Sequence, residues 1–251
     1  MSWHQRRLAA FDLETTGIDS ESDRIVTAAV SVVGDGLPAV FHAWLLDPGI
    51  PIPAGASAVH GITTERARAE GRPPLEAVEQ IVARLAEQLL QGVPVVAFNA
   101  RFDLTCLDRE ARRHGIEPLV DRVGGAAGML VVDPYVLDKQ VDRFRKGKRT
   151  LGAVCAHYNV PLDEAHASHA DALAAARVAW RLGQAFEELR ALDLPTLHAQ
   201  QTRWAAEQAA SFEDYLRRNG RDERIEPAWP IVPLSAPTPA PLSETAPPLA
   251  A

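Results

Sequence analysis

Leu8-Ala9-Ala10-Phe11-Asp12-Leu13-Glu14-Thr15-Thr16-Gly17 is an apolar run that ends in two acids and closes on Thr-Thr-Gly. The segment from Leu8 to Leu13 suits a buried strand. Side chains two apart on a strand share a face, so Asp12 and Glu14 stand side by side there. Two neighbouring carboxylates repel unless a cation lies between them. Gly17 then lets the backbone turn and approach a ligand closely. By itself the pattern also fits a strand with two solvent-facing acids, so the rest of the chain decides.

The chain has 251 residues, 47% of them hydrophobic and 24% charged, which suits one large domain or a domain with extensions. The two cysteines, Cys106 and Cys155, form neither a disulfide framework nor a zinc spacing and read as buried thiols. Neither a signal-peptide pattern nor a run of membrane-spanning length is present, so a cytoplasmic protein is expected. The net charge of -7 argues against coating long nucleic acid by bulk electrostatics. It leaves room for an enzyme that grips a few nucleotides at one end.

Outward from the first strand, residues 24–33 and 40–46 read as two more strands around a Gly34-Asp35-Gly36 turn. A long loop over residues 47–55 leads through Val59-His60-Gly61-Ile62-Thr63 to a short helix capped by Thr63 or Thr64. Leu75, Val78, Ile81, Val82, Leu85 and Leu89 fall at helical spacing and predict an amphipathic helix over 75–91. A short buried strand over 93–98 follows, then a helix over 101–114 with Asn99 as its cap, and a strand over 129–132. Residues 151–158 read as a short helix, and Ser168 opens a long one reaching Arg190. Three meander strands followed by alternating helices and strands predict an α/β domain with a mixed sheet.

A further helix is expected over 195–219, with Leu197, Trp204, Ala205, Ala209, Phe212, Tyr215 and Leu216 as its apolar side. Beyond Glu226 the composition changes: eight of the 19 prolines lie in residues 227–251, with one acid and no base. This proline-rich tail is expected to be mostly disordered. Trp229-Pro230-Ile231-Val232 is the exception, being apolar enough to dock. The expected division is therefore a domain over 7–190, a helical extension over 195–226 and a tail over 227–251.

Three segments converge on the opening stretch. Asn99-Ala100-Arg101-Phe102-Asp103 opens a helix, where an Asp also serves the helix dipole. His166-Ala167-Ser168-His169-Ala170-Asp171 contains a capping-box-like Ser168 and Asp171 pair. Arg143 to Arg149 holds five basic residues in seven and is a candidate for phosphate contact. D-x-E-T-T-G after a first strand, N-x-x-F-D on a middle helix and H-x(4)-D opening a late helix resemble the three motifs of the DEDDh-type 3′–5′ exonucleases. That group includes the epsilon proofreading subunit of bacterial DNA polymerase III, ribonuclease T and oligoribonuclease. The resemblance covers about residues 7–186, and Val59 to Thr63 matches a loop of its epsilon-like branch.

The resemblance implies a ribonuclease H-like fold, a mixed five-stranded sheet with helices on both faces, plus the C-terminal helical extension. It implies two Mg²⁺ or Mn²⁺ ions held by Asp12, Glu14, Asp103 and Asp171, with His166 as general base. It places the Thr16-Gly17 backbone, His60 and Phe102 against the terminal nucleotide. Oxygen-only ligands agree with hard Mg²⁺ or Mn²⁺. The expected activity is release of nucleoside 5′-monophosphates from single-stranded or frayed 3′ ends of DNA, in proofreading or repair. The alternatives are an RNA or oligoribonucleotide exonuclease, and a nucleic-acid-binding subunit without catalysis. The C-terminal helix is a candidate for docking a polymerase or a second copy, and no membrane partner is expected.

Overall fold

Strand β1 (Leu8–Thr15) sits at the middle of a five-stranded sheet of order β3-β2-β1-β4-β5. A computed structural model describes residues 2–162 and 167–234. Strands β2 (Ile25–Val33) and β3 (Val40–Leu45) form the antiparallel half, with Asp12 opposite Ala29 and Ala28 opposite Trp44. The parallel half is built from the very short β4 (Val95–Val96) and β5 (Val131–Val132). A central strand is covered on both faces, which is why Leu8 to Phe11 is continuously apolar. The mixed sheet with helices on both faces is the expected architecture.

Between β3 and β4 lie α1 (Ala54–His60), α2 (Thr64–Glu70) and α3 (Pro74–Leu90). Helix α1 occupies part of the expected loop, because its small residues carry no apolar face from which to read it. Thr63 caps α2, accepting from the Arg66 N–H. Val78, Ile81, Val82, Leu85 and Leu89 of α3 are buried, whereas Leu75 is exposed in the first turn. Helix α4 (Ala100–Arg113), α5 (Leu119–Arg122) and α6 (Pro134–Val141) follow, then α7 (Leu151–His157). Helix α6 escaped the reading above, although Asp133 as cap with Pro134 at its first position is a start signal.

Helix α8 (Ser168–Ala185) ends earlier than expected and is followed by the short α9 (Glu187–Arg190). Ala172 and Ala176 of α8 meet Ala10 and Ala29 of the sheet. Small side chains on both surfaces bring the helix close to β1. Helix α10 (Leu194–Arg218) packs on α6 and β5, and its Leu197, Trp204 and Leu216 are buried. Phe212 and Tyr215 do not join them; they are exposed and stacked on each other at 6.3 Å. The two cysteines are buried, and burial pushes the Cys155 thiol up to about 11. No helix among the described residues is long and apolar enough to cross a membrane.

Two of the five basic residues of the run, Arg145 and Arg149, serve the scaffold. The Asp138 carboxylate is fully buried and accepts from Arg145 (2.7 and 2.5 Å), Arg149 (2.7 Å) and the Tyr158 hydroxyl (2.8 Å). Arg145 and Arg149 therefore neutralise a buried acid rather than wait for phosphate. Asp138 lies outside the run itself, so the run alone did not show this pairing.

Candidate active site

The alternation of β1 places Ala10, Asp12 and Glu14 on one face. Helix α8 approaches that face through its alanines, and its first turn brings in Asp171. One carboxylate oxygen from each of Asp12, Glu14 and Asp171 lies within 4.8 Å of the other two. Asp103, in the first turn of α4, comes from beside β1, and its Oδ1 accepts from the Leu13 N–H at 3.0 Å. It stands outside that triangle of oxygens, yet its charge acts on Asp12.

The electrostatics follow from crowding. Burial, then the charges of Asp103, Asp171 and Glu14, hold Asp12 well above the usual carboxylate range. Burial and then Asp171 push Glu14 up to about 7. Burial also raises Asp103, against the pull of the Leu13 N–H. Each negative charge makes the next more costly, and a cation among them reverses the sign of the effect. An all-oxygen donor set of this kind fits a hard divalent ion.

The capping readings change. Ala167, not Ser168, precedes the first helical residue of α8, and Ser168 Oγ accepts from Thr27 Oγ1 at 3.3 Å. His169 is exposed while Asp171 is buried, so the two face different ways. His166 lies outside the described residues. Asn99 adopts a left-handed conformation with φ 62° and makes no side-chain cap on α4. Asp133 supplies the cap instead, accepting from the N–H groups of Asn99 and Ala100 at 2.9 Å each.

Of the expected nucleotide contacts, Thr16 is buried and its hydroxyl donates to Asp23 Oδ1 at 2.7 Å. A Cβ on Gly17 would meet Asp23 Oδ2 at 2.4 Å. The turn built on Asp23 thus accounts for the Thr16 side chain and for glycine at 17. His60 ends α1, where its Nδ1 accepts from the Ile62 N–H at 3.1 Å and braces the Gly61 turn. Phe102 is half-buried and packs against the core.

Asp133 is the residue that sequence reasoning missed. Besides capping α4 and α6, its Oδ2 accepts from the Trp229 indole N–H at 3.2 Å. Its own N–H donates to Gln201 Oε1 at 2.7 Å. Burial lifts its carboxyl to about 6 despite these donors. The docked segment continues along α4, with the Val232 N–H donating to Thr105 Oγ1 at 3.0 Å and Arg109 Nη2 donating to the Val232 carbonyl at 2.8 Å. Residues 229–232 dock as expected of them; residues 235–251 lie outside the described residues.

The family model for exonucleases of the RNase T type matches residues 9–179. The chain belongs to the DEDDh-type 3′–5′ exonuclease family. Among its relatives, DNA polymerase III PolC-type of Streptococcus agalactiae is 26% identical over 178 residues, covering 71% of this chain and 11% of that protein. The PolC-type polymerase of Listeria monocytogenes is 29% identical over 184 residues, covering 73% and 12%. This exonuclease-family chain therefore spans about a tenth of the length of these relatives. Among solved structures, Escherichia coli exonuclease I in complex with a dT13 oligonucleotide has a TM-score of 0.60 at 18% identity, over 74% of this chain and 43% of that one. Exonuclease I from Methylocaldum szegediense has a TM-score of 0.58 at 21% identity, over 72% and 41%. These neighbours share the fold.

Proposed function

We propose that this enzyme is a divalent-metal-dependent 3′–5′ exonuclease that releases nucleoside 5′-monophosphates from single-stranded or frayed 3′ ends of DNA. The observation that carries the reading is the triangle of carboxylates on β1 and α8, with Asp103 behind it. The site is assigned two Mg²⁺ or Mn²⁺ ions, held by Asp12, Glu14, Asp171 and the Oδ2 side of Asp103. Such a pair, when bound, stabilises both the attacking and the leaving oxygen of a phosphodiester. His166 takes the proton of the attacking water, since imidazole titrates near neutral pH. Asp103 also fixes the height of α4 against β1 through the Leu13 N–H, and His60, Phe102 and the Thr16-Gly17 backbone receive the terminal nucleotide.

The similarity to PolC-type DNA polymerases supports DNA over RNA as the substrate. The same similarity supports an association with a polymerase. The catalytic unit is assigned to 7–190, the helical extension to 195–226 and the proline-rich tail to 227–251. The test is purified protein with Mg²⁺ or Mn²⁺ on matched 3′-labelled DNA and RNA single strands. Faster release of mononucleotides from DNA supports the reading. Preference for RNA moves the enzyme to the oligoribonuclease side, and full activity in excess EDTA removes the metal assignment.

A further inference from the structure

Beside the N-terminus of α4, a cavity of about 210 Å³ is lined by Arg101, Tyr135 and Lys139 from one side and Phe212 from α10 on the other. It shares Lys139, Gln208 and Phe212 with a groove of about 510 Å³ that runs out between Arg143-Phe144 and Tyr215. Among the described residues neither Arg101 nor Lys139 forms an ion pair with an acid. The Arg101 guanidinium donates to a backbone carbonyl, that of Glu226. Lys139 Nζ stands 4.8 Å over the Tyr135 ring. Burial, Arg149 and Arg101 together hold its ammonium below the usual lysine range. Asp133, the acid that acts on Lys139 in the opposite sense, has both oxygens engaged by N–H groups. At the outer end, Glu207 lies between Arg143 and Arg203, 3.5 Å from each.

The aromatic rings along the same path are turned to solvent. Phe144 is 94% exposed, Phe212 47% and Tyr215 55%. Phe212 and Tyr215 are nearly parallel, at 12°. Exposed rings beside cations such as Arg101 and Lys139 are the arrangement that holds single strands, with bases on the rings and phosphates on the cations. In a chain of net charge -7, such a groove is a local reversal of sign. It begins at the N-terminus of α4, the helix that also carries Asp103.

We propose that this groove binds the single-stranded nucleic acid that leads to the 3′ end. Phosphates lie over Arg101 and Lys139, and bases stack on Phe144, Phe212 and Tyr215. The direction of the strand rests on the exonuclease reading; the binding itself does not. The groove gives the enzyme a grip on the substrate several nucleotides from the bond that is cut, which a pocket for the last nucleotide cannot provide.

The test uses the full chain carrying Asp12→Asn, so that nothing is cut, and follows fluorescence anisotropy of 5′-labelled dT12, with rU12 in parallel. Phe144→Ala and Tyr215→Ala should each weaken dT12 binding about five- to tenfold. Lys139→Gln should weaken it and flatten the slope of log affinity against log salt by about 0.7, the share of one phosphate contact on a single strand. In the cutting enzyme, the same three changes should raise KM for dT12 and leave hydrolysis of the dinucleotide dT2 unchanged. Unchanged dT12 affinity in all three variants overturns the proposal, as does equal loss on dT12 and dT2. Binding of an acidic phosphopeptide that these changes weaken while dT12 is unaffected also overturns it, in favour of a protein partner. If the wild type cuts no DNA yet its Asp12→Asn form shows these losses, the groove stands and the exonuclease reading falls.

Discussion

Two groups of carboxylates withdrawn from solvent have opposite surroundings. Asp133 and Asp138 are enclosed by donors: backbone N–H groups and an indole for the first, two guanidinium groups and a phenol for the second. Asp12, Glu14 and Asp171 enclose one another. The same residue type is scaffold where donors surround it and a site where carboxylates crowd together. Crowded carboxylates repel one another, so a fold that brings oxygens of three of them within 4.8 Å is shaped for a cation.

The contrast can be broken first at the proposed base. His166→Ala should lower kcat by roughly 10²–10⁴-fold. The wild-type rise of rate through the histidine pH range should vanish with it, and His169→Ala should cost little because that ring faces solvent. A pH–rate profile on the three proteins decides this, and an inactive His169 variant would move the base.

On the scaffold side, Asp138→Ala takes the buried counter-charge from the mostly covered Arg145 and Arg149, leaving Arg145 its pair with Asp142. Removing one partner of a buried ion pair costs about 3–5 kcal/mol, so urea unfolding should show a loss of that size. A loss below about 1 kcal/mol would show these pairs to be surface ornaments.

A smaller effect sharpens the comparison. Trp229→Phe keeps an aromatic ring, though a smaller one, and removes the N–H to Asp133, a hydrogen bond to an acid worth roughly 1.5–3 kcal/mol. Thermal unfolding should report a loss of about that size, with the α4 N-terminus exchanging amide protons faster at Asn99 and Ala100. Normal protection there would show that the docked segment does not hold the cap in place.

Much of the site was legible in the sequence because its logic is local. Period-two spacing put Asp12 and Glu14 on one face. Only the resemblance pointed to Asp103 and Asp171, since the anchor of the first on Leu13 spans 90 positions and the alanines that bring the second to the sheet meet it only in the fold. The scaffold was hidden for the same reason. Asp133 meets Gln201 and Trp229 across 68 and 96 residues, and no periodicity announces such a pair. Asn99 looked like a cap by type, but its left-handed backbone left the role to Asp133. Arg145 and Arg149 looked like phosphate ligands because the burial of Asp138 cannot be read from its neighbours. Helix α10 was legible as a helix, while its exposed Phe212 and Tyr215 were assigned to the wrong side.

The cation requirement itself is open to a single measurement: thermal stability of the wild type, Asp12→Asn and Glu14→Gln proteins, in EDTA and in Mn²⁺, from pH 5.5 to 8. Glu14 is raised from its ordinary value of 4.5 to about 7 in the folded state. The folded protein therefore binds more protons than the unfolded chain between those values, and apo stability should fall as pH rises toward 7. Burial lowers His4, His42 and His198, which pull the other way below about pH 6.5. Glu14→Gln retains all three, so the difference between it and the wild type isolates the carboxylate. In EDTA at pH 8, both variants should melt higher than the wild type. With Mn²⁺ the order should reverse, with a wild-type gain that grows from pH 5.5 to 8. A wild type that is unmoved by Mn²⁺, or more stable than Asp12→Asn in EDTA, would contradict the claim that these carboxylates are gathered for a metal.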